Sequence, residues 1–197
     1  MMHASWGVSL STRAGRGRRR LNMEEGEYLK EAVRQLRGLK KVADKALAQT
    51  GPADFFATLD EESNSIALIV KHLAGNMRSR WTDFLTSDGE KEERHRDSEF
   101  VVEPGDTRES LEQRWNEGWS LLFSAIEPLA SEHLRRTVRI RGESLSVLRA
   151  INLQIAHYAY HIGQLVLLAK HSAGSRWESL SIPRGKSEEF NARRREG

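Results

Sequence analysis

Four long stretches of this chain repeat apolar residues at three- and four-residue spacing, which makes each a helix with one buried face. The first runs from about Glu24 to Gln49. Leu29, Val33, Leu36, Leu39, Ala43, Ala46 and Leu47 form its stripe, and Gly51-Pro52 stops it. The second runs from about Glu62 to Leu85 on Ile66, Ile69, Val70, Leu73 and Met77, and Ser87-Asp88-Gly89 ends it. The third starts at Asp106 or Thr107, where Asp106 and Glu109 make a capping-box-like pair. Leu111, Trp115, Trp119, Leu122, Phe123 and Ile126 are its buried face, and Pro128 marks its end. The fourth runs from about Val147 to His171, with Ser146 as N-cap and Gly174 as stop. It is apolar on most sides, which predicts a central place in the domain. Gly163 inside it costs ~1 kcal/mol against alanine and predicts a close helix contact there.

These elements predict an all-α fold, a four-helix bundle of one domain over residues 23–197. Thr137–Arg141 alternates and reads as a short strand or hairpin before the fourth helix, turning at Gly142. The link between the second and third helices is about 20 residues long and can reach ~65 Å, against ~36 Å for a 24-residue helix. A crossover of that reach makes an up-down-down-up order natural. Its charged part, Glu90–Glu99, reads as having little to bury.

The formal charge is +3, from 31 Lys and Arg against 28 Asp and Glu. Arg13, Arg16, Arg18, Arg19 and Arg20 supply five of the positive charges and leave residues 23–197 near −2. The basic balance therefore belongs to residues 1–22, read as a disordered extension that Met23, as a natural start, would exclude. This argues against a nucleic-acid partner. No apolar run approaches ~18 residues, so no membrane partner is expected, and the N-terminus lacks the apolar core of a secretory signal. The chain has no cysteine, which excludes disulfides, cysteine-ligated metals and a cysteine nucleophile, and fits a cytoplasmic location.

Histidine is then the main candidate ligand. Of seven histidines, His157 and His161 stand four apart on the fourth helix, ~6 Å along its axis and on one face. Leu153, Leu165 and Leu168 share that face, so the pair is expected to point inward. Alone, such a pair is equally well read as two hydrogen-bonded core histidines. His72 on the second helix also borders the core, and a neighbouring helix can bring it to the pair. Three neutral imidazoles with one open position are the ligand set of a catalytic zinc site. His95 and His133 lie in polar connections, and His171 sits at a helix C-terminus, where a cation favours the dipole.

Several stretches together resemble the DinB/YfiT-like superfamily of metalloenzymes, in a bacterial branch without a settled activity. They are Ser63–Ile66, Val70–Leu73, Gly75–Phe84, Asp88–Lys91, Ile140–Glu143, His157–Gln164 and Ser181–Ser187. The resemblance covers nearly all of residues 24–191. It implies the same bundle and crossover, a homodimer, and one divalent ion, zinc or nickel, on His72, His157 and His161. It also implies a small-molecule substrate, with a low-molecular-weight thiol as cofactor in some relatives.

Further candidates for substrate binding follow from position. Asn76 lies one turn beyond His72 and Arg80 two turns beyond. Gln154 precedes His157 by three residues and Gln164 follows His161 by three, each able to reach the site or to make an interhelical hydrogen bond. Arg184 and Lys186, in Pro183-Arg184-Gly185-Lys186, can cover the site mouth and hold an anion, or form a solvated surface turn. No residue stands out as a general base. Two readings remain: a metal-dependent transferase or hydrolase, and a non-catalytic helical module with a structural ion.

Overall fold

A computed structural model describes residues 11–195, with side chains from residue 25 onward. It is mostly helical, with one small hairpin. The helices are α1 (Ser11–Leu47), α2 (Pro52–Phe56), α3 (Ile66–Trp81), α4 (Arg108–Ile126), α5 (Val147–Ala173) and α6 (Ser187–Arg195). Strands β1 (Thr137–Ile140) and β2 (Glu143–Ser146) pair antiparallel. Residues 11–22, expected as a disordered extension, continue α1 toward the N-terminus; residues 1–10 lie outside the described residues. No proline interrupts this stretch, and arginine is a good helix former.

The closest neighbours are α3 with α4 and α1 with α5, while α3 also packs on α5 and α1 on α4. Gly118 explains the first pairing. A Cβ there would lie 3.2 Å from Met77 Cβ and 3.4 Å from the Ala74 carbonyl, so α4 approaches α3 on a bare backbone. The core between the long helices holds Leu36, Ile66, Leu73, Met77, Trp115, Trp119, Leu122, Ile126 and Tyr158, all essentially inaccessible. Burying each such side chain contributes about 1.5–3 kcal/mol.

The caps define α3, α4 and α5. Ser65 accepts from the Leu68 amide and starts α3, later than the apolar pattern implied. Thr107 and Ser110 form the capping box of α4, in place of Asp106 and Glu109. Asp106 instead receives the Lys71 ammonium at 2.7 Å, with both side chains buried. Ser146 caps α5 as expected, and Gly174 ends it with a φ of 56°.

Two expectations for α5 are corrected. Gly163 faces open space, with nothing within 4 Å of the position a Cβ would take, so its presence marks no helix contact. Nor is α5 buried all round: Leu153, Tyr160 and Leu167 are 46%, 64% and 64% exposed. Its apolar content exceeds what α1 and α3 can cover.

The crossover is fastened at several points, and the expectation that Glu90–Glu99 buries little is corrected. Arg94 and Glu99 have buried side chains that pair with each other. Asp88 accepts from the Arg141 and Gly142 amides at the hairpin turn, and the Gly89 amide donates to the Arg139 carbonyl. Arg141 and Gly142 both have positive φ, as a two-residue hairpin turn requires. Lys71 donates to the Val101 carbonyl and pairs with Glu103, closing the far end.

Candidate metal centre

His72 stands on α3, and His157 and His161 stand one turn apart on α5. Each of the three offers a ligand atom, and these atoms all lie within 4.8 Å of one another. His72 is buried and the other two are half-buried. Tyr158 sets α5 against α3 beside the cluster: Trp81 Nε1 donates to its hydroxyl at 2.9 Å, and that hydroxyl donates to Asn76 Oδ1 at 3.2 Å.

The outer nitrogens decide where the lone pairs point. His72 Nδ1 donates to Glu99 Oε2 at 2.8 Å, which in the neutral ring that ligates leaves Nε2 as the acceptor atom. His161 Nδ1 donates to Gln164 Oε1 at 3.0 Å, which likewise leaves its Nε2. His72 Nε2 and His157 Nε2 are 3.3 Å apart. Two nitrogens each ~2.0–2.1 Å from a tetrahedral ion stand about 3.3–3.4 Å apart. Among the described residues, His157 Nδ1 is buried and has no hydrogen-bond partner. The residues therefore fit a divalent ion on three imidazoles, the donor set that suits zinc and nickel.

Protonation works the same way. Burial first, then the neighbouring His161 and His72, push the His157 imidazole down to about 3. Burial and His72 also lower His161. Both rings are thus held neutral, the form that ligates. The unfolded chain has ordinary imidazoles near ~6.5 and takes up protons that the folded chain refuses. The metal-free protein is therefore expected to lose stability as the pH falls from ~6.5 toward ~3, with this contribution fully present above ~6.5. Denaturant midpoints between pH 7.5 and 4.5 check this, with His157→Gln as reference. A slope as steep in the variant as in the wild type would refute it.

Glu99 was hidden in the sequence. Burial alone would raise its carboxyl, but hydrogen bonds from His72 and Arg94 outweigh that and hold it below the usual range. The one hint was Phe100-Val101-Val102, an apolar run in an otherwise polar crossover. Phe100 packs on the His72 ring at 4.9 Å between centroids and brings Glu99 with it.

The remaining candidates divide. Asn76 is buried near the cluster but accepts the Tyr158 hydroxyl. Arg80 donates to the Gly89 carbonyl and pairs with Glu90 at 2.8 Å, so it holds the crossover. Gln164 orients His161. Gln154 is buried, and its Oε1 has no hydrogen-bond partner among the described residues. Arg184 and Lys186 are exposed, and Lys186 pairs with Glu189 at 3.0 Å. Among the described residues no hydrogen bond or ion pair joins either to the histidines. A cleft of about 1090 Å³ between α3, α4 and the crossover reaches Glu99 and Arg94, and none of the three histidines lines it. No described helix is long and apolar enough to cross a membrane.

The family model described as "protein of unknown function (DUF1572)" matches residues 23–186. No curated protein and no solved structure matches the chain.

Proposed function

The chain belongs to this DinB-like family, and on that premise we propose that it is a divalent-metal-dependent protein acting on a small molecule. The observation that carries the reading is the convergence of three imidazoles, two with their outer nitrogens already bonded. In the proposal His72, His157 and His161 hold zinc or nickel, and α1, α3, α4 and α5 form a four-helix bundle. Three neutral ligands leave an ion its full charge, which lowers the pKa of a bound water toward ~7 or deprotonates a bound thiol. Transfer of a low-molecular-weight thiol and hydrolysis are the two chemistries that fit.

The protein's own part is orientation. Glu99 and Gln164 fix the tautomers of two ligands. Gln154 Oε1, buried one turn before His157 and unpartnered among the described residues, is the acceptor proposed to meet the substrate. A second reading, a non-catalytic bundle with a structural ion, draws support from Asn76 Oδ1, which accepts the Tyr158 hydroxyl, and Arg80 Nη1, which pairs with Glu90, both holding the fold.

Two measurements on tag-free protein decide. Metal analysis is expected to find about one ion per chain; under ~0.2, unchanged by His157→Ala, would end the metal reading. With the ion present, a panel of low-molecular-weight thiols is expected to raise the melting temperature. A reproducible thiol-dependent shift would argue against a purely structural ion, and its absence with every thiol would remove thiol transfer from the two chemistries.

A further inference from the structure

We infer that Glu99 is a positioning residue for the histidine cluster, clamped by Arg94 and admitted by the absent side chain of Gly75. The inference rests on the metal reading above and deepens it. Glu99 Oε2 accepts from His72 Nδ1 at 2.8 Å. Arg94 reaches the same carboxylate from the other side, with Nε on Oε1 and Nη2 on Oε2, each at 2.8 Å. The Glu99 and Arg94 side chains are 8% and 6% exposed, so this fork is out of reach of most water. Arg94 Nη1 in turn leans on Glu90 Oε2 at 3.3 Å, which also binds Arg80.

Gly75 supplies the room. A Cβ built there would lie 2.2 Å from Glu99 Oε1 and 2.8 Å from Glu99 Cδ. Any side chain at this position evicts the carboxylate from its seat against α3. Glycine inside a helix costs ~1 kcal/mol against alanine, and at Gly75 the seated carboxylate accounts for it.

The carboxylate does three things for His72. It fixes the proton on Nδ1, it holds the ring plane, and it raises the basicity of Nε2, the atom 3.3 Å from His157 Nε2. A purely structural ion pair would tie the crossover to α3 and do none of these. The two roles separate when ion affinity is measured apart from stability.

The test uses the full-length, tag-free chain, zinc affinity by chelator competition, the visible spectrum of the cobalt(II) form, and the melting temperature of the metal-free form. Glu99→Gln keeps the shape and an acceptor oxygen and loses the charge. It is expected to bind zinc ~10-fold more weakly, with a shifted cobalt spectrum. Its amide NH2 must face an Arg94 donor, so the metal-free melting temperature is expected to fall as well, and the affinity is compared at a temperature where the metal-free variant is folded. Glu99→Ala and Gly75→Ala are each expected to weaken zinc by ~10–100-fold. Because Gly75→Ala acts by displacing the carboxylate, it should add little in the Glu99→Ala background. Affinities for Glu99→Gln and Gly75→Ala within twofold of wild type would overturn the inference, whatever their stabilities. So would a Gly75→Ala effect that persists in full without Glu99. A wild-type chain that takes up no ion overturns the metal reading and this inference with it. A loaded wild type with equally loaded variants overturns this inference alone.

Discussion

Replacing His157 with alanine is expected to weaken divalent-ion binding by ~100-fold or more, beyond the ~10–100-fold that losing an outer partner costs. The reason is geometric. His157 Nε2 faces His72 Nε2 at 3.3 Å, so the variant loses one of the two best-placed donors and leaves two. The effect should be visible as stability. An ion present at a thousand times its dissociation constant stabilises the folded chain by about 4 kcal/mol. For a chain of 197 residues this corresponds to a melting shift of about 8–16 °C. EDTA is thus expected to lower the wild-type melting temperature by that amount and that of His157→Ala, left at about ten times its weaker dissociation constant, by no more than about 3–6 °C. The metal-free forms should melt close together, because His157 is only half-buried and its Nδ1 gives up no hydrogen bond. Equal EDTA shifts in both proteins would remove His157 from the site.

The parts of this arrangement that were legible in the sequence are those governed by local periodicity. The spacing of His157 and His161 follows from helix geometry alone, and Ser146 and Gly174 bound α5 as their capping chemistry requires. The stripe around His72 placed that residue at the core, and the structure brings it to the pair. Helix ends were less legible. At the start of α4 two overlapping capping patterns compete, Asp106 with Glu109 and Thr107 with Ser110. Asp106 is drawn away by the buried Lys71, a partner 35 residues distant that no local rule supplies.

The crossover is where reading from sequence failed, for a physical reason. Its buried residues are charged, and a charged stretch reads as solvated unless its partners are known. Glu99 is buried because His72 and Arg94 satisfy it, and Arg94 because Glu99 and Glu90 satisfy it. Arg80 shows the same failure from the other side. Its place two turns beyond His72 suits a substrate contact, but the Gly89 carbonyl and Glu90 claim its guanidinium. Gly163 failed differently: a mid-helix glycine signals either close packing or nothing, and Gly75 and Gly118, not Gly163, are the ones the packing requires.

Removing the ring of Trp119 is expected to cost about 3–5 kcal/mol, the range for a fully buried aromatic cut to alanine. Trp119 is 1% exposed and meets Trp115, Phe123 and Tyr158, with ring centroids 5.5, 5.7 and 5.8 Å away. Denaturant midpoints would measure the loss. The Tyr158 contact extends the effect to the metal centre, because Tyr158 is the residue beside His157 that ties α5 to Trp81 and Asn76. A weaker ion affinity is therefore expected in Trp119→Ala even though it touches no histidine. The indole nitrogen makes the comparison with phenylalanine sharper. Trp119 Nε1 is buried with no hydrogen-bond partner among the described residues, a state that costs ~1–3 kcal/mol. Trp119→Phe loses part of the ring but also removes that unpaired donor, so the two effects oppose. It is expected to cost ~1 kcal/mol or less and to leave ion affinity near wild type. If phenylalanine proves as damaging as alanine, the volume of the indole, not its aromatic contact, is what Tyr158 and α5 lean on.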